Sequence, residues 1–205
     1  VLAALVPDEN KAERSTYLVA TENSLLKGGL SRVMQYLSRD LNRKHLKVRI
    51  MEPRYRRQVN GEPLLYHELP VPLRPFNEKA DYEFTVNVEG KDIKVLGFVS
   101  ENDEGIPVYA FQDEAGFYIQ VLYYYDKPGH PSVFQVTEAI TKATLKFIDI
   151  LEQKEQERLK AAGKTWLPPV IALNDGQSVA SAAWPLVIKE FMTAVLLLAV
   201  FMVTT

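Results

Sequence analysis

Two short polar segments of this chain have the residue types and spacing for phosphate or sugar chemistry. Lys27-Gly28-Gly29-Leu30-Ser31 joins a β-prone run to a helical one. Glycines at such a junction take positive φ, bring backbone N–H groups close to a ligand and leave a helix N-terminus facing an anion. The segment is therefore either a phosphate cradle, with Lys27 adding a cation, or a plain tight turn. It matches neither G-x-G-x-x-G nor G-x-x-x-x-G-K-[ST], so it is not a dinucleotide fingerprint or a Walker loop. The second segment, Asn174-Asp175-Gly176-Gln177, follows the apolar run Val170-Ile171-Ala172-Leu173. Polar residues at the carboxyl end of a buried parallel strand stand where open α/β sheets bind ligands. Asp175 is either a site carboxylate or the N-cap of a following helix, and Gln177 either meets the ligand or lies on that helix's first turn.

Other chemistry is thinly represented. Zero cysteines exclude a disulfide framework, a thiolate metal site and a cysteine nucleophile, and they fit a reducing, cytoplasmic compartment. His45, His67 and His130 are isolated from one another in the sequence and are read as structural, so no metal or cofactor is expected. Tyr123-Tyr124-Tyr125 reads as core and sheet packing rather than a sugar platform. Net charge is only -2, yet residues 27–57 carry ten Lys or Arg against Asp40 and Glu52. That stretch is either a field for an anionic ligand or a solvated helix face. Aromatic residues do not interleave with it as in a nucleic-acid groove, so no nucleic acid partner is expected.

Both segments need a scaffold, and the periodicity supplies one. Thr16 to Ala20 is β-prone, Leu30, Val33, Met34, Leu37 and Leu41 recur at helical spacing, and Lys47 to Met51 reads as a second strand. Strand, glycine turn, helix and strand make a βαβ unit and a parallel sheet. Tyr82, Phe84, Val86 and Val88 alternate with polar residues, Glu89-Gly90 supplies a turn, and β-rich stretches continue to Ala110, which predicts an antiparallel hairpin region over about 80–125 inserted into the α/β domain. From Ser132 the helical period returns through Val136, Ile140, Thr144, Phe147, Ile148 and Leu151. The charged run Glu152 to Lys160 is expected to carry the helix into solvent until Gly163 stops it. A helix from about Ser178, disturbed by Pro185, and a final strand within Phe191 to Val203 complete the pattern.

With 205 residues, 47% hydrophobic and 24% charged, the chain has the balance of one globular domain. The run from Phe191 to Val203 falls short of the roughly 20 residues that span a bilayer, so a buried strand is expected and no membrane partner. Val1 in place of Met, and an end at Thr205 just past a strand, read as a segment of a larger protein.

The order of these segments resembles the amino-terminal opening of bacterial and plant glycogen and starch synthases. There a strand leads through a glutamate and a K-x-G-G-L loop to a helix, and the next strand ends in Pro-Arg-Tyr. Glu22, Gly28, Gly29, Leu30, Pro53, Arg54 and Tyr55 carry the match, Gly105 to Phe111 (GIPVYAF) is similar to the family's G-[VI]-x-V-Y strand, and Val170 to Gln177 looks like its His-Asp-Trp-His strand end. The resemblance implies an α/β fold with a Rossmann-like parallel sheet and helices on both faces, the amino-terminal half of a GT-B glycosyltransferase, spanning 1–205. It implies transfer of glucose from ADP-glucose or UDP-glucose to the non-reducing end of an α-1,4-glucan, with this chain on the acceptor side and a separate carboxyl-terminal nucleotide-binding domain as its partner. Carried over, Lys27, Gly28 and Gly29 approach the donor phosphates, Gln177 lies beside the substrate, and Asn174 takes the histidine position next to Asp175. The alternatives are a non-catalytic glucan-binding or regulatory relative and a GT-B transferase for another sugar nucleotide. Without the second domain these residues are not expected to catalyse transfer alone.

Overall fold

A computed structural model describes residues 12–20, 29–55, 76–119, 129–173 and 196–199. The chain order is β1 (Ala12–Val19), α1 (Gly29–Arg43), β2 (Lys47–Pro53), β3 (Tyr82–Val88), β4 (Lys91–Glu101), β5 (Pro107–Asp113), α2 (Val133–Ala161), β6 (Thr165–Leu173) and β7 (Leu196–Ala199). They form one seven-stranded sheet in the order β3-β4-β5-β2-β1-β6-β7. β5, β2, β1, β6 and β7 run parallel to one another, while β3 with β4 and β4 with β5 are antiparallel. Among the described residues no helix is long and apolar enough to cross a membrane.

Successive residues of a strand point to opposite faces, and each face of this sheet has its own helix. Leu18, Ala20, Val48, Ile50 and Val108 pack with Met34 and Leu41 of α1. Tyr17, Val19, Met51 and Phe111 pack with Val136, Ile140, Ala143, Phe147 and Leu151 of α2. This is the α/β arrangement with helices on both faces that the sequence implies.

The hairpin region is not an appendage. β4 pairs with β5 and β5 pairs with β2, so the antiparallel strands extend the main sheet and share the α2-side core. The turn at Glu89 (φ 48) and Gly90 (φ 81) has two consecutive positive φ values, the two-residue hairpin geometry whose twist matches the strands. Gly97 serves a different need. A Cβ there would lie 2.7 Å from the tip of the Phe147 ring, so only glycine lets α2 seat that ring against β4. Tyr82, Phe84 and Tyr109 surround the same ring at centroid distances of 5.1, 5.4 and 5.8 Å.

Local signals set the helix ends. Ser132 Oγ accepts from Gln135 N–H at 3.2 Å and Gln135 Oε1 accepts from Ser132 N–H at 2.8 Å, a reciprocal capping box at the start of α2. Gly163 (φ 69) follows its last turn. α1 ends at Arg43, and the exposed His45 (φ 59) makes the turn that follows it. In β6, the register slips between Arg14 and Thr16 of β1, so Pro168 and Pro169 together oppose one residue. A bulge there admits two residues that cannot donate to the ladder.

One expectation is overturned. The charged run 152–160 does not leave the core: Glu152, Glu155 and Leu159 are buried on the same stripe as Phe147 and Leu151. The cause is on the opposite wall, where Arg49 projects from the apolar strand β2 and requires carboxylates.

Candidate functional site

β1 and β6 lie side by side, and their last residues, Val19 and Leu173, are register partners. β2 flanks β1 on the other side, and Ala20 N–H still donates to the Met51 carbonyl at 3.2 Å, so the chain leaves β1 from a fixed point. From β1 the chain crosses through α1 to β2 on one side, whereas α2 delivers it to β6 on the other. The strand order therefore reverses between β1 and β6. In an open α/β sheet that reversal opens a crevice outside the carboxyl ends of the strands, because the two crossover helices lie on opposite faces.

The described chain leaves β1 at Ala20 and β6 at Leu173, at neighbouring strand ends. Residues 21–28 follow Ala20, and residues 174–177 follow Leu173, one strand spacing away, about 4.8 Å. Gly29 is the first residue of α1, so the glycine pair ends at a helix N-terminus, as an anion cradle requires. Lys27, Gly28, Asn174, Asp175 and Gln177 lie outside the described residues, as do Glu22, Tyr123-Tyr124-Tyr125 and the helix expected from about Ser178. In the first turn of α1, Ser31 is buried and its Oγ accepts from Gln35 Nε2 at 3.0 Å.

Much of the described part of the basic stretch is already partnered within the fold. Arg39 pairs with Glu104 at 2.8 Å and Asp103 at 3.4 Å, Lys44 with Asp40 at 2.9 Å, and Lys47 with Glu13 and Glu155. Arg54 stacks on Phe98, 4.2 Å from its centroid, and faces Phe76 at 5.3 Å. Tyr55 is buried in the α2-side core, so the Pro-Arg-Tyr sequence has a structural use at the end of β2.

Sequence reasoning missed a buried polar cluster between the sheet and α2. Arg49 donates to Tyr17 Oη at 2.6 Å, Glu152 Oε1 at 3.2 Å and Glu155 Oε2 at 3.0 Å. Tyr17 Oη donates to Glu152 Oε1 at 2.7 Å, and Trp166 Nε1 donates to Glu152 Oε2 at 2.9 Å. Burial and the neighbouring Glu152 raise the Tyr17 hydroxyl above the usual phenol range, although Arg49 opposes this. Burial also pushes the Glu155 carboxyl up, but hydrogen bonds from Arg158 and Lys47 with the charges of Lys47 and Arg49 outweigh it and bring it down to about 2. The signal was an arginine inside the strand KVRIM together with glutamates at helical spacing. The cluster draws on the carboxyl-terminal half of α2 and the first residues of β6, at the other end of β6 from the crevice, so it braces the fold.

The starch synthase catalytic domain family model matches residues 17–196. The chain belongs to the starch synthase catalytic domain family. The match runs from the middle of β1 to the start of β7 and includes residues 27–31 and 174–177 of this starch synthase domain. A solved structure, the catalytic domain of starch synthase IV from Arabidopsis thaliana bound to ADP and acarbose, superposes with a TM-score of 0.56 at 18% identity and covers 92% of this chain. That likeness shows the fold, and the chain spans 33% of the length of that structure. No curated protein sequence matches the chain.

Proposed function

We propose that this chain is the acceptor-side domain of a retaining glucosyltransferase that moves glucose from ADP-glucose or UDP-glucose to the non-reducing end of an α-1,4-glucan. The parallel pairing of β1 with β6, with Val19 opposite Leu173, supports the reading, because the chain runs on toward Lys27-Gly28-Gly29 and into Asn174-Asp175 from neighbouring strand ends. Family membership and the ADP and acarbose held by the similar plant enzyme support the substrate class.

In the proposed reaction the bond from glucose C1 to the diphosphate oxygen breaks and its electron pair leaves with the diphosphate, while the acceptor hydroxyl oxygen bonds to C1 on the same face and its proton passes to the departing diphosphate oxygen. Lys27 and the N–H groups of Gly28 and Gly29, at the start of α1, offset the charge that develops there. Asn174, Asp175 and Gln177 hold the glucose and the acceptor hydroxyl in position, a contribution made by orientation. A separate nucleotide-binding domain closes the crevice from the other side. The lack of cysteine suits a cytoplasmic enzyme.

The test is glucose transfer to a maltooligosaccharide by the full-length protein, with each sugar nucleotide in turn. Transfer that collapses in Asp175→Ala is expected. Absence of transfer with intact oligosaccharide binding would instead make the protein a silent glucan-binding relative.

A further inference from the structure

β3 stands at one end of the sheet order, and among the described residues it pairs with β4 alone. The direction of its backbone groups follows from the neighbouring ladder. In an antiparallel pair, residues that exchange both hydrogen bonds alternate with residues whose N–H and C=O groups point away from each other. Thr85 is the register partner of Lys94, and the Lys94 carbonyl accepts from Glu114 N–H at 2.9 Å on the β5 side. The backbone of Thr85 therefore faces outward, away from β4, and so do those of Glu83 and Asn87, two residues to either side. Lys142 confirms the direction, since its Nζ reaches from α2 and donates to the Asn87 carbonyl at 2.7 Å.

Sheet edges are commonly blunted by proline, by a bulge or by brevity. β3 has none of these: it runs seven residues, Tyr82–Val88, without proline, in unbroken register with β4. Lys142 covers one carbonyl, which keeps a second lone pair. Among the described residues no strand takes the outward N–H and C=O groups of Glu83 and Thr85.

The strand is complementary to itself. Antiparallel pairing of two copies about a two-fold axis at Thr85 sets Thr85 against Thr85, Glu83 against Asn87, Phe84 against Val86 and Tyr82 against Val88, so the whole strand is matched. The pairs at 83, 85 and 87 are the outward-facing ones, and each can exchange both hydrogen bonds. On the exposed face two threonines meet and each Glu83 meets a neutral Asn87, with Lys142 close by as an opposite charge. An axis at Glu83 would oppose two carboxylates, and one at Val86 would set Glu83 against Glu89; like charges directly opposite are destabilising. On the face toward α2, the buried Phe84 and Val86 extend the apolar row from one copy to the next.

We propose that this protein self-associates through β3, two copies joining antiparallel about Thr85 so that their sheets become one. The edge lies four strands from β1, roughly 19 Å at about 4.8 Å per strand, so the association leaves the β1–β6 crevice open.

Sedimentation velocity of the full-length protein from about 1 to 100 μM covers the strength of a main-chain strand contact. The wild type is expected to pass from monomer to dimer within that series. Thr85→Lys and Thr85→Glu each place like charges against one another on the axis and are expected to raise the dimer Kd about 3- to 10-fold, whereas an equimolar mixture of the two restores the dimer. Thr85→Pro removes the outward N–H, which β4 does not use, and is expected to weaken the dimer as well. Thr85 is exposed, and a wild-type far-UV circular dichroism spectrum shows that each variant is folded. A wild type that stays monomeric throughout, a dimer that survives both Thr85→Lys and Thr85→Pro, or a mixture no tighter than the separate variants overturns the proposal.

Discussion

Val19 and Leu173 are register partners at the carboxyl ends of adjacent parallel strands, and every residue expected to touch substrate follows one or the other within ten positions. That pairing sets the strand ends from which the chain continues toward Lys27 and toward Asp175 side by side. The reversal of strand order between β1 and β6 then leaves room for a ligand, since α1 and α2 cover opposite faces.

Gly97 and Phe147 fix how α2 lies on the sheet. Gly97→Ala places a methyl 2.7 Å from a ring that Tyr82, Phe84 and Tyr109 hold in place, so the ring has nowhere to move. A loss of about 1–3 kcal/mol is expected in denaturant unfolding. Phe147→Leu in the Gly97→Ala background should recover part of it. Additive losses would show that the two sites do not touch.

The Arg49 cluster gives the stability a defined acid dependence. Glu155 has its carboxyl lowered from 4.5 to about 2 in the folded protein, so its contribution is present above about pH 4.5 and is lost as the pH falls toward 2. Unfolding midpoints measured across that interval should decline in the wild type and decline less steeply in Glu155→Gln. Equal slopes would contradict the assignment.

Removing the cation is expected to be harsher. Arg49→Ala leaves Glu152 and Glu155 buried beside one another with fewer partners, which costs about 3 kcal/mol. The same denaturant titration measures it, and a change below about 1 kcal/mol, the scale of a surface pair, would show that the cluster is solvated.

Much of this architecture was legible because it is written in local periodicity. The alternation from Tyr82 to Val88 with Glu89-Gly90 gave β3 and its turn, and the 3.6-residue spacing from Val136 to Leu151 gave α2 with Ser132 ahead of it. β6 was read only from Val170, because Pro168 and Pro169 argue against a strand and the bulge that admits them is set by pairing with β1. β1 was read from Thr16, since Glu13 and Arg14 look like loop residues until β6 is placed beside them. Glu152 and Glu155 looked solvated because only the tertiary position of Arg49 makes a glutamate a core residue there. The crevice was legible as two separate strand ends, and their adjacency followed only from the sheet order.

Ser132 offers a check on the local part of that logic. Ser132→Ala removes the acceptor for Gln135 N–H and is expected to cost about 1 kcal/mol. Ser132→Asp, which keeps a cap, should restore most of it in the same unfolding assay. A serine that can be replaced at no cost would mean that packing alone fixes the start of α2.

The central claim is that the segments after β1 and β6 form one site, and a double-mutant cycle on the full-length protein tests it most directly. kcat/KM for glucose transfer is measured for Lys27→Ala, Asp175→Ala and the pair. Groups acting on one bound sugar nucleotide should be non-additive by at least about 0.5 kcal/mol, the pair losing less than the sum of the single losses. Strict additivity, or a Lys27→Ala enzyme as active as the wild type, would contradict the shared crevice.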